Sequence, residues 1–286
     1  MTYENAVLVA IDDEDPDEML LGWAAEQAEA RGTRLVVCHM CEWQEGRQAP
    51  TPMDESNGRD LTVGPERVVA DALKVVRAAH PDLPVTGALG TGRPARGLLE
   101  AADEAAMVVV GARGTGGFPR LLIGSISGQV AEHASCPVAV FRPARPGATD
   151  VVVGIDGSPQ AARALELGLA EARRTGGTLI ALHALRLPPG AGAAAPNPGV
   201  NLADHREMAV KGLNDVLGDI EARNPDVKIE RRVEPGPPAR KLLEAAEDAA
   251  TLVVGARGLG GFTGLIVGSV SQQVMRHAHC PVLVAH

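Results

Sequence analysis

Short, unbroken apolar runs recur along the chain, separated by longer stretches in which apolar residues return at helical spacing. In the first half the runs are Ala6 to Ile11, Leu35 to Met40, Val85 to Leu89, Met107 to Val110 and Pro137 to Phe141. The second half repeats them at Val151 to Ile155 and near Leu179, Ile229, Leu252 and Val282. A continuous apolar run of this length reads as a strand buried on both faces, the state of strands in a parallel sheet covered by helices. Helices are predicted to open at Asp15-Pro16 and Ser158-Pro159, each an N-cap residue followed by proline at the first helical position. Strand alternating with helix predicts an α/β fold, a parallel sheet with helices on both faces. The least regular connections are Glu42 to Gly64 and the low-complexity stretch Leu187 to Val200.

The pattern of the first half is also the pattern of the second. At a constant offset of 144 residues, Asp12 falls on Asp156, His39 on His183, Gly92 on Gly236 and Gly111 on Gly255. GRPARGLLEAA (Gly92 to Ala102) and GPPARKLLEAA (Gly236 to Ala246) agree at nine of eleven positions. A repeat this long is a domain duplication, not a solenoid of short units. Its boundary falls in the Pro- and Gly-bearing stretch Arg142 to Asp150, giving domains over residues 1–143 and 150–286.

Composition narrows the partners. Aromatic residues are only 2% of the chain, so the cores are built from Val, Ile, Leu and Ala. A net charge of −9 argues against nucleic acid and anionic lipid as partners. No apolar run approaches the roughly 20 residues that cross a bilayer, and MTYENAVLVAIDDED lacks the basic flank of a secretory signal. Four cysteines in 286 residues do not make a disulfide scaffold. The expected location is the reducing cytoplasm, without a membrane partner.

In an open α/β sheet, ligands bind beyond the carboxyl ends of strands where the strand order reverses. After the fourth run comes Gly111-x-x-Gly114, nine residues, then Gly124-Ser125; the second half has Gly255-x-x-Gly258, nine residues, then Gly268-Ser269. Each pattern feeds a helical stretch, SISGQVAEH or SVSQQVMRH. A glycine-rich loop leading into a helix N-terminus presents unpaired N–H groups and a positive dipole end to an anion. That describes a phosphate cradle made largely of backbone, with the hydroxyls of Ser125 and Ser127, or Ser269 and Ser271, as further donors. The plainer reading makes these glycines the means of a tight strand-to-helix turn, and duplication copies structural glycines too. Asp12 and Asp156 end the first strand of each half on the side of the cradle, where a carboxylate can accept hydrogen bonds from a base or sugar. Their plainer role is a cap or turn residue. Arg113 and Arg257, inside the motif, meet either phosphate or solvent.

With Asp, His and the glycine motif in this order in both halves, the chain resembles the universal stress protein family in its tandem form, over nearly its whole length. The resemblance implies two doubly wound domains, each with a five-stranded parallel sheet, and ATP held over the strand ends. It implies that Asp12 and Asp156 contact the nucleoside and that Met40 and Ala184 line the purine pocket. Gly111, Gly114, Gly124 and Ser125 would hold phosphates in the first half, and Gly255, Gly258, Gly268 and Ser269 in the second. Ile126 and Val270 would touch ribose or phosphate through backbone N–H. The second half reads Ile155-Asp156-Gly157-Ser158, the usual family form, whereas the first reads Ile11-Asp12-Asp13-Glu14-Asp15. Extra carboxylates disfavour a polyphosphate unless a metal ion bridges them, so the first site is expected to be the weaker one or to require Mg²⁺.

Other motifs carry less. Gly90-Thr91-Gly92-Arg93-Pro94-Ala95 fits a loose dinucleotide pattern, but it comes late in its half and its counterpart lacks the first glycine. Neither a phosphate-loop sequence with Lys nor a G-x-S-x-G elbow occurs anywhere. Cys38 and Cys41 sit three apart on a predicted strand, pointing to opposite faces roughly 10 Å apart, too far for a disulfide. They read as buried thiols, and Cys136 and Cys280 as small core residues. His39 and His183 read as structural, with a ring nitrogen on nearby backbone. The leading expectation is an ATP-binding stress or regulatory protein whose output follows nucleotide occupancy. An enzyme, at most a slow ATPase or nucleotide transferase, lacks an activating lysine beside the cradle. An interaction module with vestigial sites is the third class. By resemblance, the two halves pair through their last strands, Val138 to Phe141 against Val282 to Ala285, which conceals an edge; a homodimer of the whole chain is a further expectation.

Overall fold

The computed structural model describes residues 3–12, 16–41, 51–52, 64–112, 123–185, 202–258 and 267–286. The chain forms two units, Met1–Pro143 together with His286, and Ala144–Ala285. The first runs β1 (Val7–Ile11), α1 (Glu18–Ala30), β2 (Leu35–Cys41), β3 (Thr51–Pro52), α2 (Gly64–Ala79), β4 (Val85–Thr91), α3 (Pro94–Ala102), β5 (Met107–Gly111), α4 (Ser125–His133) and β6 (Val138–Phe141). Its strand order is β3-β4-β2-β1-β5-β6. Five of these strands are parallel; β3 adds a two-residue antiparallel edge on β4, with Thr51 opposite Leu89.

The second unit runs β7 (Val151–Gly154), α5 (Pro159–Thr175), β8 (Leu179–Leu185), α6 (Leu202–Arg223), β9 (Ile229–Pro235), α7 (Pro238–Ala245), β10 (Thr251–Gly255), α8 (Ser269–His277) and β11 (Val282–Ala285). Its order is β9-β8-β7-β10-β11, all parallel. Each apolar run of the sequence is thus a strand of a doubly wound sheet, within a residue or two of its expected limits. Central strands are closed to water: Val7, Leu8, Val9, Met107, Val108 and Val109 have no exposure in the first unit, nor do Val151, Val152, Val153, Leu252 and Val253 in the second. Each such side chain contributes roughly 1.5–3 kcal/mol on burial. The order reverses between β1 and β5, and again between β7 and β10, so the carboxyl ends of those strands flank a switch point in each unit.

The helix starts differ from expectation in one half. In α5, Ser158 caps as predicted: its Oγ accepts from the Ala161 N–H at 3.1 Å, with Pro159 in the first turn. In α1 the cap is Asp17, whose carboxylate accepts from the N–H groups of Met19 and Leu20 at 3.0 and 3.1 Å. Two orphan donors are met by one carboxylate there, so the helix opens at Glu18 and Pro16 lies outside it; Asp15 lies outside the described residues. The α5 helix approaches its sheet closely because residue 168 is glycine: a Cβ there would lie 2.3 Å from Val153 Cγ2. All four cysteines are free and buried, and burial pushes the Cys38 and Cys136 thiols up to about 12. Residues 144–149 belong to the second unit, where Arg145 pairs with Glu247 at 3.1 Å and also with Asp248. No described helix is long and apolar enough to cross a membrane.

Candidate functional site

Where β7 ends at Gly154, Ile155 still donates its N–H to the Leu182 carbonyl at 2.9 Å, and Asp156 then leaves the sheet. Its Oδ1 accepts from the Ser158 N–H at 3.0 Å, a side-chain turn that fixes the carboxylate. Its Oδ2 lies against residue 258, where a Cβ would come within 2.3 Å, so glycine there admits the carboxylate. The neighbouring strand β10 ends at Gly255, which packs on the first turn of α5: a Cβ would lie 2.7 Å from Gln160 Cβ and 3.0 Å from Gln160 C.

The start of the next helix is tied back to the end of β10. Gly268 donates its N–H to the Ala256 carbonyl at 2.7 Å, and Ser271 Oγ donates to the Gly255 carbonyl at 2.6 Å. Helix α8 begins at Ser269 with Gly268 as its N-cap and no side-chain cap bond. The N–H groups of Ser269, Val270 and Ser271 therefore open outward, with no carbonyl four residues back inside the helix. The positive end of the helix adds to them.

These elements enclose a cavity of about 830 Å³ wholly within the second unit. One wall is polar, formed by Asp156, Ser158, His183 and Arg257 with the backbone of Gly258 and of Gly268 to Ser271; the other is apolar, formed by Gly154, Leu182, Ala184, Val254, Pro238 and Leu242. His183 is held by its Nδ1, 2.8 Å from the Ile155 carbonyl, and His39 stands likewise 3.3 Å from that of Ile11. All nine residues singled out in the second half (Asp156, Ala184, Gly255, Arg257, Gly258, Gly268, Ser269, Val270 and Ser271) line this one cavity.

The first unit repeats the skeleton. Ser127 Oγ donates to the Gly111 carbonyl at 2.6 Å, Gly124 N–H to the Ala112 carbonyl at 2.7 Å, and α4 opens at Ser125 and Ile126 without a side-chain cap. Asp12 follows the end of β1, and Met40 lies near the end of β2. Arg113 and Gly114 lie outside the described residues. Among the described residues, no group of three His, Cys, Asp or Glu is placed to hold a metal ion.

Two readings change with the geometry. Ser127 and Ser271 are buried, and their hydroxyl hydrogens are already committed to Gly111 and Gly255. What they offer a ligand is backbone N–H, not a hydroxyl donor. Replacing Ser271 with alanine removes this donor from the part-buried Gly255 carbonyl, a cost of about 0.5–1.5 kcal/mol; chemical denaturation of wild type and S271A measures it. The second change is the apolar wall of Pro238 and Leu242, which inspection of motifs missed. Its signal was the near-identity of the two eleven-residue stretches that begin at Gly92 and Gly236, but alternating small and apolar residues at helical spacing read first as core.

Comparison with known proteins gives a single result. The universal stress protein family model matches residues 5–142 and again 148–286. A universal stress protein of Mycolicibacterium smegmatis is 35% identical over 98% of this chain and 97% of its own. One from Mycobacterium tuberculosis is 33% identical over 99% of this chain and 97% of its own. The crystal structure of a universal stress protein from Archaeoglobus fulgidus superposes with a TM-score of 0.63 at 20% identity, covering 99% of this chain and 98% of that one.

Proposed function

The chain belongs to the universal stress protein family, and we propose that it binds an adenine nucleotide, ATP, in the cavity of its second half and couples occupancy to a regulatory stress response. One observation carries the proposal: a single cavity joins a helix N-terminus without a side-chain cap to a fixed carboxylate and a strand end that runs on past its neighbour. The first suits phosphate, the second a ribose hydroxyl, and the third a base.

The strand end has a defined polarity. The Leu182 carbonyl faces β7 and accepts from Ile155, whereas the Leu185 carbonyl faces the other way and accepts from Gly236 at 3.0 Å. Successive residues of a strand alternate, so Ala184 turns its N–H and C=O toward the β7 side, beyond the end of that strand. An N–H donor beside a carbonyl acceptor matches N1 and the N6 amine of adenine. Guanine presents the opposite order on that edge, so the same groups discriminate against it. Flat apolar walls from Leu182 and Leu242 suit the ring faces.

Catalysis is not favoured by this wall. Asp156 is engaged by Ser158 N–H and His183 by the Ile155 carbonyl, and the lining includes Arg257 but no lysine among the described residues. Asp156→Ala tests the reading: ATP affinity is expected to fall roughly tenfold or more, the loss of a charge-assisted hydrogen bond of about 1.5–3 kcal/mol. GTP is expected to compete poorly with ATP for the unsubstituted protein. Equal competition by GTP, or unchanged affinity in D156A, contradicts the assignment of these groups.

A further inference from the structure

The apolar wall of the cavity differs between the two halves in a way the glycine motif does not. In the second half its residues share one face of the sheet. A Cβ on Gly154 would meet Leu242 Cδ1 of α7 at 3.2 Å and Val254 Cγ1 at 3.6 Å. Gly154 lies beside Leu182 across the β7–β8 pairing, and Ala184, two residues on, returns to the same face. Pro238 and Leu242 close the slot from α7. The corresponding residues of the first half are Ala10, Cys38, Met40, Val110, Pro94 and Leu98. Their registers match, with Ala10 beside both Cys38 and Val110.

Two exchanges narrow the first-half slot. Ala10 carries the very Cβ that Gly154 lacks. Met40 places a long, half-buried side chain where Ala184 has a single methyl. Cys38 for Leu182 returns some volume, but at the buried floor of the slot rather than near its mouth. A protein interior resists extra methylenes in a filled space, so a flat ring and a methionine compete for the same volume.

We infer that the residue shared by positions 40 and 184 is a size filter that decides which half accepts a purine: Ala184 admits the ring in the second half and Met40 excludes it from the first. The inference rests on the nucleotide reading of the second-half cavity and gives the two halves different ligands or different occupancy. Helix α4 opens at Ser125 as α8 does at Ser269, so the first half keeps a helix N-terminus suited to a phosphorylated ligand lacking a bicyclic base.

The test is calorimetric titration of the nucleotide-stripped full chain with ATP and Mg²⁺, for wild type, A184M and M40A. One equivalent is expected for wild type. Ala184→Met should weaken that site at least tenfold. Met40→Ala should raise the stoichiometry to two. Unchanged melting temperatures exclude misfolding as the cause. Wild type filling two equal sites, or A184M binding as tightly as wild type, overturns the filter and leaves nucleotide binding standing. If M40A stays at one equivalent while Asp13→Gly with Glu14→Ser reaches two, charge closes the first half and the filter is wrong. No binding by any variant removes the nucleotide reading itself, and the inference with it.

Discussion

Gly255→Val is expected to abolish ATP binding by the second half and to destabilise that unit by about 1–3 kcal/mol, the usual cost of overpacking. The crowding falls on atoms whose positions the backbone fixes. A Cβ at 255 meets Gln160 Cβ at 2.7 Å and Gln160 C at 3.0 Å, in the first turn of α5. No rotamer relieves that overlap, so the start of α5 must move away from β10. Ser158 caps that turn and its N–H holds Asp156, so the displacement carries the carboxylate out of place. The same move disturbs the Gly255 carbonyl that anchors Ser271. Binding and melting measured together check this: full affinity in G255V means the strand end is more plastic than its packing implies.

The second large effect concerns stability alone. Glu171 on α5 is 1% exposed and pairs with Arg174, 14% exposed, at 2.9 Å. Arg174→Met leaves a buried carboxylate without its counter-charge, expected to cost about 3 kcal/mol and lower the melting temperature by roughly 10 °C. The first half shows the neutral alternative. Its corresponding residue is Gln27, fully buried, whose carbonyl groups accept from Arg31. Glu171→Gln should therefore be tolerated better than Arg174→Met, and the pair Glu171→Gln with Arg174→Met should recover part of the loss. Thermal unfolding of the three variants decides it; equal melting of R174M and wild type removes the ion pair from the account.

Strand positions were legible because a buried parallel strand has no polar side: Val151 to Ile155 and Leu252 to Gly255 announce themselves without reference to partners. Capping was legible where one candidate stood alone, at Ser158, and misread where Asp15 and Asp17 both preceded the same helix. Composition cannot say which carboxylate reaches two free N–H groups. The polar half of the cavity was readable from glycine spacing, since a backbone cradle needs missing Cβ atoms at fixed intervals. Hydroxyl direction was not: the same serine can face a ligand or, as Ser271 does, its own strand end. The apolar half was hidden for a different reason. Leu182, Pro238 and Leu242 are ordinary core residues by pattern, and only the register of β7, β8 and α7 brings them to one wall.

The central claim is tested most directly by titrating the nucleotide-stripped chain with ATP and Mg²⁺ by calorimetry. The account predicts saturable heat with one equivalent per chain, lost in G255V and weakened in D156A. An absence of heat across several temperatures, together with no ATP-dependent rise in melting temperature, contradicts it and leaves the cavity without a nucleotide.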